Sequence, residues 1–160
     1  MSYRSNLIAL FMVTLSLCAC SSKEVVVADK PIPSRMQQAT FKAMTLAQSK
    51  NSLMGACSQN HLQIQTTHNE VLCFQSDVKG TRFREIERVV NDEYATKIQV
   101  VMQFKLQESN SDVTVLANTY AQYLAPVSLT SGLQTRTRNL LDDISFNAIQ
   151  AMLTEAGATN

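Results

Sequence analysis

The strictest alternation of apolar and polar residues lies in Ile98–Leu106. Ile98, Val100, Met102, Phe104 and Leu106 are interleaved there with Gln99, Val101, Gln103 and Lys105. A period of two sends the two sets to opposite faces of a strand, so this segment predicts one apolar face and one largely wet face. Glu108–Asp112 (ESNSD) is a polar turn, and Val113–Leu124 returns as a longer strand carrying Tyr120 and Tyr123. Pro126, which lacks a ladder donor, ends it. His61–Phe74 predicts a shorter hairpin. Leu62 and Ile64 alternate with Gln63 and Gln65, Thr67–Glu70 turns, and Val71–Phe74 returns.

Helical spacing marks the two ends of this region. Ser34 follows Pro33, and Gln37 lies three residues on, forming the S-x-x-Q pattern of a capping box. Met36, Ala39, Ala43, Met44 and Ala47 then recur at three- and four-residue intervals, with Phe41 widening the stripe, which predicts a first helix. A last helix is predicted over Asn139–Glu155, with Leu141, Ile144, Ala148, Met152 and Ala156 on one stripe beside Ile149 and Leu153. Asp142 and Asp143 fall in its first turn, where the helix dipole favours acids, and Gly157 suits its stop. Between the hairpins, Lys79-Gly80 breaks the chain. Phe83, Ile86, Val89 and Val90 then follow a helical period, although Val89-Val90 would also begin a strand. The order helix, hairpin, charged segment, hairpin, helix predicts an α+β domain. Its antiparallel sheet has about four strands, with the N-terminal and C-terminal helices packed on one face.

Composition narrows the class of partner. Among 160 residues, 14 are Lys or Arg and 13 are Asp or Glu, so the chain has no basic surplus with which to displace counterions from nucleic acid. Ser, Thr, Asn and Gln number 52, so surface polarity rests on hydroxyls and amides more than on charge. Met1–Asn6 contains one charge, Arg4, and Leu7–Leu17 is an uncharged apolar run of 11 residues. A membrane span needs about 20 apolar residues, so the run predicts the core of an export signal.

Leu17-Cys18-Ala19-Cys20 follows that run and resembles the lipobox of bacterial lipoproteins, with Cys18 in a place more often filled by other small residues. The resemblance implies diacylglycerol on the Cys20 sulfur, cleavage before Cys20 and acylation of the new amine. Ser21 stands where an Asp would imply inner-membrane retention, which implies an outer-membrane anchor in a Gram-negative cell. The expected organisation is a signal peptide over 1–19, a lipidated N-terminus and tether over 20–33, and one periplasmic α+β domain over 34–160. Two or three acyl chains hold stably, since each buried CH₂ contributes about 0.8 kcal/mol. Within the tether, Val25, Val26 and Val27 form a possible partner-facing strand, with a plain spacer as the alternative. In layout the domain is similar to small envelope-assembly lipoproteins that pack two helices on one face of an antiparallel sheet. That similarity is architectural and transfers no residue roles.

Cys57 and Cys73 remain as an even pair in an oxidising compartment, which predicts a disulfide. Free thiols are the alternative, as is a metal site made with His61 and His68. The spacing C-x₃-H-x₆-H-x₄-C matches no familiar zinc pattern, so no metal is expected. With two His residues, no G-x-S-x-G, S-x-x-K or H-E-x-x-H and only four Gly, the chain carries no catalytic signature and no phosphate loop. The adjacent acids Asp92-Glu93 and Asp142-Asp143 point apart in regular structure and read as solvent charges. No catalytic residue and no cofactor is expected. The sequence predicts an outer-membrane-anchored, non-catalytic interaction or assembly subunit with an envelope protein partner, bound to the membrane by its lipid. The alternative is a lipid- or polysaccharide-binding lipoprotein, with Met36, Met44 and Met54 lining an apolar pocket. A cell-wall hydrolase built from distant carboxylates is a third possibility.

Overall fold

The computed structural model describes residues 36–127 and 132–159. In chain order its elements are β1 (Gln37–Phe41), α1 (Leu46–Gln59), β2 (Gln63–Thr66), β3 (Glu70–Gln75), α2 (Gly80–Val90), β4 (Thr96–Ser109), β5 (Asp112–Pro126), β6 (Leu133–Asn139) and α3 (Asp143–Glu155). The fold is α+β, with one antiparallel sheet in the order β1-β5-β4-β3-β2 and β6 also beside β5. Pairing with β4 occupies one edge of β5 along most of its length. The other edge is shared end to end, β1 pairing with Val113–Ala117 and β6 with Tyr120–Pro126.

All three helices pack on the same face of the sheet. Leu53, Ala56 and Cys57 of α1 and Ile149, Met152 and Leu153 of α3 join Phe41, Val71, Cys73, Phe104, Val113 and Val115 in the main cluster. Ile86 and Val90 of α2 make a second cluster with Val100, Ala121, Tyr123, Ala125 and Leu140. Burying one such large apolar side chain stabilises the fold by about 1.5–3 kcal/mol. Cys57 on α1 and Cys73 on β3 are both fully buried and stand at disulfide distance, with Cα atoms 6.0 Å apart.

The expected first helix is corrected. Gln37–Phe41 is a strand in which Gln37, Ala39 and Phe41 are buried while Gln38 is exposed and Thr40 only partly covered, and the helix begins nine residues after Gln37, at Leu46. The physical reason lies in two rival capping boxes. Thr45 accepts from the Gln48 amide while the Gln48 side chain accepts from the Thr45 amide, so the box that forms is T-x-x-Q at 45–48. Ser34 lies outside the described residues, and Gln37, three residues after it, belongs to β1. The sheet also has six strands where about four were expected. β1 and β6 are the additions, and they lie together on one edge of β5. The charged segment after Gly80 is the helix α2, and Asn91 in a left-handed conformation (φ 48°) ends it. The last helix starts later than Asn139. Asp142 is its N-cap and accepts from the Ser145 amide, and Asp143 lies in its first turn.

Asp142 also ties α3 to α2. Arg82 Nη1 lies 2.9 Å from Asp142 Oδ1, and Arg82 Nη2 donates to Ser145 Oγ at 2.5 Å. Burial pushes the Asp142 carboxyl upward, but hydrogen bonds from the Ser145 amide, the Arg82 guanidinium and the Ser145 hydroxyl outweigh it. The net shift is below the ordinary value. A carboxyl with a lowered folded pKa adds stability above the unfolded value, and that stability disappears as pH falls through the folded value. Asp142→Asn keeps a capping oxygen and is expected to flatten the acid limb of the stability curve, while Asp142→Ala costs about 1 kcal/mol at neutral pH through the lost cap. Urea unfolding across the acid range reads both.

The buried cysteine pair gives a second expectation. Non-reducing mass spectrometry of freshly isolated protein is expected to find no alkylatable thiol at Cys57 or Cys73. Because the pair spans 16 residues, a Cys57→Ala/Cys73→Ala variant is expected to lose roughly 3 kcal/mol in denaturant unfolding.

Candidate interaction face

The sheet face opposite the helices is built from the alternate residues of the same strands. Direct partners across the ladder share a face, so the register lays out that face row by row. One row runs Gln63, Phe74, Val101, Tyr120, Asn139 across five strands. The next runs Gln65, Leu72, Gln103, Asn118, and the one beyond it Glu70, Lys105, Leu116, Gln38. On the other side of the first row lie Gln99, Gln122 and Thr137. The centre is apolar and the surround is amide.

Val101 is fully buried although no helix among the described residues packs on this face. Its direct cross-strand neighbours are Phe74 and Tyr120, rings large enough to shield a valine between them. Leu72, Phe74, Leu116, Tyr120 and Leu124 are themselves only partly covered. The formal charges within these rows are Glu70 and Lys105, which sit opposite each other in register and offset. Gln103 Nε2 donates to Glu70 Oε1 and holds that carboxylate against the sheet.

Tyr120 on this face has a phenol pKa shifted from its ordinary value. Burial first, and the nearby Glu70 charge second, push its phenol up from 10.0 to about 12. The hydroxyl therefore remains a donor at any physiological pH. The arrangement offers hydrogen-bond donors and acceptors around an aromatic and aliphatic centre, with the Glu70 carboxylate opposite the Lys105 ammonium.

The other residues singled out by sequence do not gather into a site. His61 and His68 are exposed at the two ends of the β2 region, whereas Cys57 and Cys73 are fully buried at disulfide distance from each other. Among the described residues no group of three or more His, Cys, Asp or Glu could hold a metal ion. Of the methionines expected to line a pocket, Met44 and Met54 pack against the main core cluster. Asp92 lies 3.5 Å from Arg136, on the rim of an open depression of about 640 Å³ that also carries Glu87, Glu93, Tyr94 and Ile98. A cavity of about 10 Å³ lies between β1, β5 and the start of α3, lined by Gln37, Thr119 and Ser145 among others. Gln37 Oε1 and Thr119 Oγ1 are buried without a partner there, and the space suits about one water molecule. Cys20 and the Val25–Val27 segment lie outside the described residues. Among the described residues no helix is long and apolar enough to cross a membrane.

The amides of this face were legible only as the wet side of two strands. The one-sided packing of helices was expected from the alternation, but the apolar row Phe74, Val101 and Tyr120 at the centre of the open side was not. No protein-family model matches the chain, and no curated protein compared with it matches either.

A raised phenol pKa has a stability consequence. Between pH 10 and about 12 the unfolded chain loses the Tyr120 proton while the folded chain keeps it. Stability is therefore expected to fall as pH rises through that interval. An ultraviolet phenolate titration is expected to show one late-titrating tyrosine that Tyr120→Phe abolishes and Glu70→Gln shifts downward.

Proposed function

We propose that this chain is an outer-membrane-anchored lipoprotein that acts, without catalysis, as an interaction or assembly subunit of a cell-envelope complex. The anchor is Cys20, read from its lipobox-like surroundings, and the docking surface is the open face of the sheet. One observation carries the reading: a row of Phe74, Val101 and Tyr120 on a face that no helix among the described residues covers, ringed by amides and with its charges offset. Depletion of charge at the centre, with aromatic residues there and polar groups around them, is the composition of a protein–protein interface core. The partner is an envelope protein, and the Cys57–Cys73 pair is a disulfide that keeps α1 on the sheet in an oxidising compartment.

A lipid- or polysaccharide-binding role draws less support. A ligand between helices and sheet would need some hundreds of Å³, whereas the cavity beneath α3 has about 10 Å³. The larger depression near Asp92 is open and rimmed by acids. A hydrolase would need paired carboxylates across a cleft, and the acids of this depression, Glu87, Asp92 and Glu93, come from one helix end and the turn after it.

The test is affinity purification of the lipidated full chain from detergent-solubilised envelopes. An envelope protein is expected to co-purify stoichiometrically, and Gln103→Lys/Asn118→Lys, which plants two charges beside Val101, is expected to reduce its recovery at least about tenfold. A chain that purifies alone, or a partner retained undiminished by the charged face, would sink the proposal.

A further inference from the structure

The exposed apolar side chains are unevenly placed, and three fall within six residues at the start of α3. Leu141 is 47% exposed, Ile144 57% and Phe146 39%. Leu141 immediately precedes the N-cap Asp142 and Phe146 is the fourth helical residue, the two positions of a hydrophobic staple. A staple accounts for the proximity of Leu141 and Phe146 but not for their exposure, and Ile144 is the most exposed of the three. Beside this turn Arg82 is ion-paired to both Glu85 and Asp142, and Asp143 adds a further carboxylate in the first turn. The turn therefore has no positive surplus with which to attract acidic lipid or an acidic partner.

Where the chain enters the domain supplies the occupant. β1 begins at Gln37, and Gln37 Nε2 donates to the Phe146 carbonyl at 2.5 Å. The incoming segment is thus joined to the domain directly beside the exposed turn. Cys20 stands 17 residues before Gln37, a distance that covalent geometry limits to roughly 60 Å. An acyl anchor at Cys20 holds this corner of the domain near the bilayer at high effective concentration, so even a weak apolar contact is populated.

On these grounds, and resting on the lipoprotein reading above, we propose that Leu141, Ile144 and Phe146 form a second membrane contact, seated in the interfacial layer of the bilayer that carries the Cys20 lipid. The contact is driven by apolar burial and does not require anionic lipid. It also orients the domain. The α3 start lies at the β1/β6 edge of the sheet, so that edge faces the lipid, β2 lies farthest away, and the amide-rich face is turned sideways toward neighbouring proteins.

The chain contains no Trp, so single reporters can be introduced without background. Lipidated full-length Ile144→Trp and Ile64→Trp, the latter on the far edge strand β2, are reconstituted separately into phosphatidylcholine vesicles with plain or brominated acyl chains. Both variants are expected to float with the vesicles. The Ile144→Trp indole is expected to emit to the blue and to lose roughly half its intensity or more with brominated lipid, as an interfacial side chain would, while that of Ile64→Trp is unchanged. Flotation of both with equal, negligible quenching overturns the contact and leaves the anchor standing. Failure of both to float overturns the anchor and the contact together. Quenching that appears only when anionic lipid is added overturns the apolar mechanism.

Discussion

The alternation along β5 is the constraint on which the remaining structure depends. Val113, Val115, Ala117, Ala121 and Ala125 are fully buried, and Thr119 and Tyr123 nearly so, while the residues between them are only partly covered. A strand with one side so completely withdrawn from water needs cover on that side along its whole length. One helix of 13 residues is about 20 Å long and cannot supply it, since β5 has 15 residues and spans about 50 Å. α3 and α1 cover the half near Val113, and α2 covers the half near Ala125. The two apolar clusters are the consequence of that division.

Three helices committed to one side leave the other without secondary structure over it among the described residues. This asymmetry gives the amide-rich composition a place. Glutamine, asparagine and threonine occupy the open rows because a strand face must keep alternating, yet the residues there need neither full burial nor charge. Phe74, Val101 and Tyr120 interrupt that pattern at its centre. An isolated Val101 would be solvated on such a face, and it is the two flanking rings that remove it from water.

What the chain discloses in one dimension follows the strength of its periodicity. The Ile98–Leu106 strand was legible because its apolar positions recur at every second residue, and Val113–Leu124 because it returns across the polar ESNSD turn with β-favouring residues. β1 was not, because five residues (QQATF) carry only three buried positions. The same Ala39 and Phe41 also fit a helical stripe with Ala43 and Met44. The signal that would have separated the readings was the second capping box at Thr45, followed by Leu46, Leu53, Ala56 and Cys57 at helical intervals. β6 had no signal of its own, since LQTRTRN is exposed almost throughout. It is a strand because β5 extends beyond the reach of β1 and presents an unpaired ladder there. The open face was half visible: its wetness and the packing of helices on the opposite side could be read, but the pairing of Phe74 and Tyr120 across Val101 depends on register.

The bridge between Thr40 and Thr159 bears on mechanics. Thr40 donates its amide to the Thr159 carbonyl and accepts from the Thr159 amide, so β1 is gripped by β5 on one side and by the chain's last described residue on the other. Tension applied to residues ahead of Met36 enters the domain through β1. There it divides between the five-residue ladder to β5 and the segment that runs back into α3. A pull that would peel a free edge strand one hydrogen bond at a time must instead displace α3 as well, and with it the main apolar cluster. The weakest-looking strand in the sheet is thereby coupled to the part of the domain most costly to open.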